Sequence, residues 1–106
     1  MSIRKYLTFV FIDIIYIQKN LNILEQLKLK NCLLTDDCIL LLIETIIECY
    51  DDNEENLRNF TLLDISGKQL YDSYVVREML RDLENAGITS VDVIYNESKK
   101  RSKKKR

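Results

Sequence analysis

Residues 24–34, LEQLKLKNCLL, set the expectation for how this chain folds. Leu24, Leu27, Leu29, Cys32 and Leu34 fall in the spacing L-x-x-L-x-L-x-x-C-x-L. Leu27 and Leu29 stand two apart, so on a short strand they share one face. Cys32 occupies the position where the chain must turn and backbone groups inside the turn need partners. The stretch therefore predicts a strand followed by a turn.

A second copy lies 36 residues further on, where LKLKNCLLTDD (27–37) aligns with LDISGKQLYDS (63–73). Leu27 matches Leu63, Leu29 matches Ile65, Leu34 matches Leu70 and Asp36 matches Asp72. The register continues, with Ile39, Ile43 and Ile47 falling on Val75, Met79 and Leu83. Apolar residues four apart form a stripe on one side of a helix. Each copy thus reads strand, turn, Asp, helix. The second copy departs from the first at its turn, where Lys68 stands in the place of Cys32, and Phe60 and Leu62 crowd the approach.

Asp36 and Asp72 precede the helical runs, where a carboxylate accepts from exposed backbone N–H groups and favours the positive end of the helix dipole. Thr35 is an alternative cap for the first helix. The second helix is predicted to stop at Gly87, after Asn85 and Ala86, because glycine adopts the left-handed conformation that ends helices. Thr89–Ile94 then reads as a third strand. The first helix runs into Tyr50–Asn56, an acidic stretch that accounts for the extra length of that copy. It reads as a solvated loop, because it lacks the alternating ligands, central Gly and terminal Glu of a calcium loop.

These residues resemble the leucine-rich repeat family, specifically the ribonuclease-inhibitor-like type in which parallel strands alternate with helices. The resemblance spans residues 24–96, about two repeats plus a strand. It implies an α/β fold of short β-α units and a role as a non-enzymatic protein-interaction module or adaptor subunit. Within the family, NCLLTDDCILLL (31–42) is similar to repeats of the mitochondrial ATP synthase coupling factor B group, which implies a respiratory or ATP synthase assembly as partner. A rival resemblance starts from the second copy alone. LLDISGKQLYDSYVVREMLRDLENAGITSVDVIY (62–95) is also similar to the core of STAS domains, in which a strand leads to an Asp-Ser pair at a helix start. That likeness implies a regulatory switch with Ser73 as phosphoryl acceptor, since a helix N-terminus stabilises phosphate. The two folds predict different sheets: sequentially stacked parallel strands for the repeat, a mixed sheet with a reordered strand for the STAS-like fold.

Outward from the repeats, residues 1–23 form an apolar N-terminal cap segment. Its run Tyr6–Ile17 suits a buried strand or a short core helix, and periodicity does not decide between them. Asp13 inside the run, the lack of a small-residue cleavage pattern and a length well short of the roughly 20 residues of a membrane span argue against a secretory signal or a span. At the other end, residues 98–106 read as a basic disordered tail. Lys99, Lys100, Arg101, Lys103, Lys104, Lys105 and Arg106 are seven of the last eight residues, with no apolar side chain among them to pack. Candidate uses of this tail are electrostatic contact with nucleic-acid phosphates, nuclear import, or docking on an acidic surface. Without interleaved aromatics, nucleic-acid contact would be weak and non-specific.

The 106 residues, 46% apolar, suffice for one domain, expected over residues 1–97. The net charge of −1 conceals an asymmetry, because residues 1–97 hold nine basic against 17 acidic side chains, a net −8. The chain contains no histidine, which excludes Ser-His and Cys-His nucleophile pairs and His-ligated metal or haem. Gly67 and Gly87, the two glycines, stand twenty apart and cannot build a Gly-rich phosphate cradle. Cys32, Cys38 and Cys49 include no C-x-x-C pair, so they read as reduced thiols in an intracellular compartment, with cytoplasm, nucleus and mitochondrion all open. Asp36, Asp37 and Asp72 recur at equivalent repeat positions along one rim, and capping accounts for them without a metal. No catalytic constellation emerges, and no cofactor is expected. Two repeats are fewer than the roughly three that bury a continuous core, so the last strand, Val91–Ile94, is expected to leave an open edge for another subunit or a second copy.

Overall fold

In a computed structural model of the chain, residues 6–8, 14–29, 34–67, 72–96 and 99–101 are described. The elements follow in the order β1 (Tyr6–Thr8), α1 (Ile14–Asn20), β2 (Gln26–Lys28), α2 (Asp36–Asp52), a 3-10 turn (Glu54–Leu57), β3 (Leu62–Asp64), α3 (Ser73–Asn85), β4 (Asp92–Asn96) and β5 (Lys99–Arg101). They form one five-stranded sheet in the order β1-β2-β3-β4-β5. The first four strands are parallel, and β5 returns antiparallel along β4.

The 36-residue offset is built into the register. Leu27 and Leu63 are Cα partners across β2 and β3, and Val93 stands next in the same row. All three are fully buried, whereas Gln26, Lys28, Leu62, Asp64, Asp92 and Ile94, which alternate with them, are half-buried. Parallel strands added in sequence, each by a right-handed crossover, carry their helices to the same face of the sheet. The core lies between that face and the helices: Leu27, Leu29, Leu63, Ile65 and Val93 meet Ile17, Ile39, Ile43, Met79 and Leu83. The two helical stripes read from sequence are thus the buried faces of α2 and α3.

Local chemistry sets the helix ends. Thr35, rather than Asp36, is the N-cap of α2, its Oγ1 accepting from the Cys38 amide at 3.3 Å. Asp72 caps α3 as expected, its Oδ1 accepting from Tyr74 N at 2.9 Å. Displaced by one residue into the helix, the Asp36 carboxylate reaches sideways and accepts from the Asp72 amide at 2.8 Å. The recurring aspartates therefore tie one unit to the next as well as capping. Downstream of α3, Gly87 takes φ +86°, with its amide bonded to Glu84 O and the Ile88 amide to Leu83 O. This is a Schellman closure, sealed by burial of Ile88 and Leu83. The acidic stretch is ordered by asparagines: the Asn56 amide donates to Cys49 O at 2.8 Å, and Asn53 Oδ1 accepts from Glu55 N at 3.0 Å. Its carboxylates remain exposed, but α2 runs to Asp52 and a 3-10 turn replaces the expected loop.

Three expectations change. First, the N-terminal segment is no simple cap: it supplies a parallel strand, β1, and a short helix, α1, so a third β-α unit precedes the two read from sequence. Its unit is shorter, Tyr6 pairing with Gln26, because α1 has 7 residues against 17 in α2. Ile17, Leu21 and Leu24 complete the core from that end. Second, β4 has no open edge, because β5 covers it. Third, the chain from Ser98 is not wholly an unstructured tail, since Lys99–Arg101 form β5. An edge strand offers unpaired backbone N–H and C=O groups, and pairing satisfies them whatever the side-chain composition. Cys32, Lys68, Leu70, Asp13, Ser98, Lys103, Lys104, Lys105 and Arg106, invoked in the sequence, lie outside the described residues.

Candidate functional site

With the helices on one face, none of the described residues forms a helical layer over the other face of the parallel sheet. That face presents two rows of half-buried side chains, Gln26, Leu62 and Asp92 in one and Lys28, Asp64 and Ile94 in the next. The rows are held in place by links between units. Thr61 donates through both its amide and its hydroxyl to Glu25 O, at 2.8 and 3.2 Å, and the Asp92 amide donates to Thr61 O at 2.8 Å. Asp64 Oδ1 accepts from the Ser66 amide and hydroxyl at 2.9 and 2.6 Å, fixing the chain as it leaves β3 toward Gly67, φ +100°. The face therefore combines apolar, amide and charged groups on a ladder tied together by hydrogen bonds between units.

A concavity lies between α3 and the carboxyl end of β4. It has a volume of about 490 Å³ and is lined by Gly67, Ser73, Val76, Arg77, Leu80, Tyr95 and Asn96. Val76, Leu80 and Tyr95 form its apolar floor against the core. Arg77 stands on its rim, its guanidinium 6.0 Å from the Tyr74 ring, within cation–π range. Ser73, the candidate phosphosite, is exposed as the first residue of α3 and lies one helical turn before Arg77.

Of the seven basic residues singled out in the tail, three fall in β5. Arg101 is not a free electrostatic contact: its Nη2 donates to Val91 O at 2.8 Å and Ile88 O at 3.3 Å, clamping the α3–β4 connection. Burial lowers the pKa of this guanidinium, while Glu84 and Asp92 nearby act to raise it, and its Nε is buried without a partner. An arginine nonetheless stays charged. Lys99 and Lys100 stand in register with Asn96 and Ile94. Cys38 and Cys49 are free thiols; burial raises the Cys49 pKa, and Asp52 and Glu48 add to it, which lowers the share of the reactive thiolate.

Asp36 and Asp72 meet through the carboxylate-to-amide bond above, while Asp37 points to solvent. Among the described residues, no group of three or more Cys, Asp or Glu side chains comes together to hold a metal ion, and no helix is long and apolar enough to cross a membrane. Arg77, Leu80 and Tyr95 were not singled out by the sequence. The available signal is a second stripe on α3, Ser73, Val76, Arg77, Leu80 and Glu84, offset from the Val75, Met79, Leu83 stripe and concealed by its mixed polarity. In comparisons with models of protein families, with curated proteins and with solved structures, nothing matches the chain.

Proposed function

We propose that this chain is a non-enzymatic protein-interaction module, a short stack of leucine-rich-repeat-type β-α units that binds a partner through the face of its parallel sheet opposite the helices. The observation that carries this is the ladder of register-matched strands with all helices on the opposite side, which leaves Gln26, Lys28, Leu62, Asp64, Asp92 and Ile94 on the other face. The sequential strand order supports the repeat architecture over the STAS-like alternative, for which a mixed sheet with a reordered strand is expected: the antiparallel β5 makes this sheet mixed, but no strand is reordered. The hydrogen bond from Asp72 N to Asp36 and the pairing of Leu27 with Leu63 supply the same 36-residue translation that the sequence carries. The partner is another protein, not a strand added at β4, because β5 holds that edge. The free thiols of Cys38 and Cys49 suit a reducing, intracellular setting.

A photo-cross-linking residue placed at Leu62 or Ile94 tests this against the same residue at exposed Arg81 on α3. One discrete adduct from the sheet positions and none from Arg81, in cells expressing the chain at native level, is the expected result. Equal labelling from both faces, or none from the sheet, removes the sheet face as the binding surface.

A second function has one supporting observation: Ser73 is exposed at a helix N-terminus with Arg77 one turn away, an arrangement in which a phosphoserine gains a dipole and a guanidinium contact. Partner binding that differs between Ser73→Asp and Ser73→Ala supports such a switch, and identical binding by both removes it.

A further inference from the structure

The charge on α2 is one-sided. Over Asp36–Asp52 the helix carries six carboxylates, Asp36, Asp37, Glu44, Glu48, Asp51 and Asp52, and neither lysine nor arginine. Asp36 and Asp37 suit the first turn, where the helix dipole favours negative charge. Asp51 and Asp52 end the helix, where the dipole disfavours it. Glu44 and Glu48 stand one turn apart, a like-charge spacing that weakens a helix. Local stability therefore does not account for these four. Two of them, Glu44 and Glu48, border an apolar groove. Leu40, Ile43, Glu44, Ile47 and Glu48 of α2 and Asp82 of α3 line a concavity of about 330 Å³ between the two helices. Ile43 is buried and Ile47 half-buried, Leu40 is 45% exposed, and all three carboxylates are exposed. The ion pairs among the described residues, Arg58 with Glu55 and Arg81 with Glu78, do not include Glu44, Glu48 or Asp82.

We propose that the α2–α3 groove docks a basic amphipathic helix of a partner protein. This goes beyond the sheet surface argued above and rests on different residues. The apolar side of such a helix covers Leu40 and Ile47, in the way helix-binding grooves take anchors at i, i+3, i+4 and i+7. Charge selects its polar side: Glu44, Glu48 and Asp82 line the groove, so lysines or arginines flanking the anchors meet three carboxylates and relieve the repulsion between Glu44 and Glu48. The same carboxylates repel nucleic-acid phosphates and an anionic bilayer. A second copy of this chain fits less well. Its α3 sets Arg77 and Arg81 against Glu78, Asp82 and Glu84, its α2 has no cation, and its α1 carries the single Lys19. The basic end of the chain, Lys103–Arg106, has the charge but no apolar side chain to set on Leu40.

The test uses the full chain and two fluorescein-labelled peptides of about 14 residues, long enough as helices to pass Leu40 through Glu48. Both carry Leu at i, i+3, i+4 and i+7; one has Lys and the other Glu at the remaining positions. By fluorescence anisotropy, the Lys peptide is expected to bind with roughly micromolar affinity, and the Glu peptide at least about tenfold more weakly. Glu44→Lys is expected to weaken the Lys peptide roughly fivefold, and Leu40→Gln by a similar factor. Both residues are exposed, so both variants are expected to fold, as far-UV circular dichroism will show. Glu54→Lys makes the same charge change at an exposed position outside the groove and should leave affinity within about twofold. Leu62→Lys, on the sheet face opposite the helices, should also leave it unchanged, which separates failure of this groove from failure of the sheet surface. Equal affinity for both peptides, no saturable binding, indifference to Leu40→Gln, or an equal loss from Glu54→Lys and Glu44→Lys overturns the proposal. A dimer in sedimentation equilibrium that Leu40→Gln dissolves also overturns it, by placing a second copy in the groove. So does a roughly tenfold gain in affinity when Lys103, Lys104 and Lys105 are all replaced by Gln, which would seat the chain's own basic end there.

Discussion

Replacing Arg101 by Ala asks whether the basic end of the chain is part of the folded body. Arg101 Nη2 donates two hydrogen bonds to backbone carbonyls, a short one to Val91 at 2.8 Å and a longer one to Ile88 at 3.3 Å. Bonds from a charged donor contribute about 1.5–3 kcal/mol each in favourable cases. Here the guanidinium is half-buried, which costs solvation, and its Nε is enclosed with no partner. The longer bond is also the weaker. Together these set the expected loss at about 1–2 kcal/mol, less than the gross value of two charged bonds. In a chain of this size each kcal/mol moves the melting temperature by about 4–8 °C, so Arg101→Ala should lower Tm by about 5–10 °C. Arg101→Lys keeps the charge but not the reach and planar geometry of the guanidinium, and should lose about half as much. Arg58→Ala is the control: Arg58 reaches Glu55 at 3.2 Å with both side chains largely in solvent, and such a pair contributes at most about 1 kcal/mol. Differential scanning calorimetry at matched salt reads all three. If Arg101→Ala melts within about 1 °C of wild type, β5 contributes nothing and the segment is the free tail its composition implies.

The equivalence of the two sequence copies predicts that Leu27→Ala and Leu63→Ala, which remove fully buried side chains at paired register positions, each cost about 3 kcal/mol in urea unfolding. A cost below about 1 kcal/mol at either would show that it lies outside the shared core. The Cys49 thiol, raised in pKa by burial and then by Asp52 and Glu48, should react with iodoacetamide more slowly than free cysteine at mildly alkaline pH. Asp52→Asn should speed that reaction modestly, and an unchanged rate would remove the charge as a cause. Since a raised thiol pKa stabilises the fold only while the group is protonated, this contribution holds at neutral pH and is lost as pH climbs past the ordinary thiol range.

The middle of the chain was the most legible in sequence because two periodicities agreed there. Leucines two apart and isoleucines four apart repeat at a common offset of 36, and only strand-then-helix units satisfy both at once. Capping was legible to within a residue, since Thr35 and Asp36 offer rival oxygens to the same amides and only the turn geometry chooses between them. The first β-α unit was less so. An apolar run such as Tyr6–Ile17 suits strand and helix alike, and its division into β1 and α1 depends on pairing with β2.

By itself, then, the sequence determined the β-α alternation, the paired leucine and aspartate positions, the Gly87 stop and the exclusion of histidine chemistry, because each follows from local periodicity or composition. Tertiary structure alone decided that Lys99–Arg101 pair along the edge of β4 and that Arg101 clamps Val91 and Ile88. Composition marks such a basic run as solvated, but a strand edge selects its neighbour by backbone hydrogen bonding, which side-chain patterns do not encode.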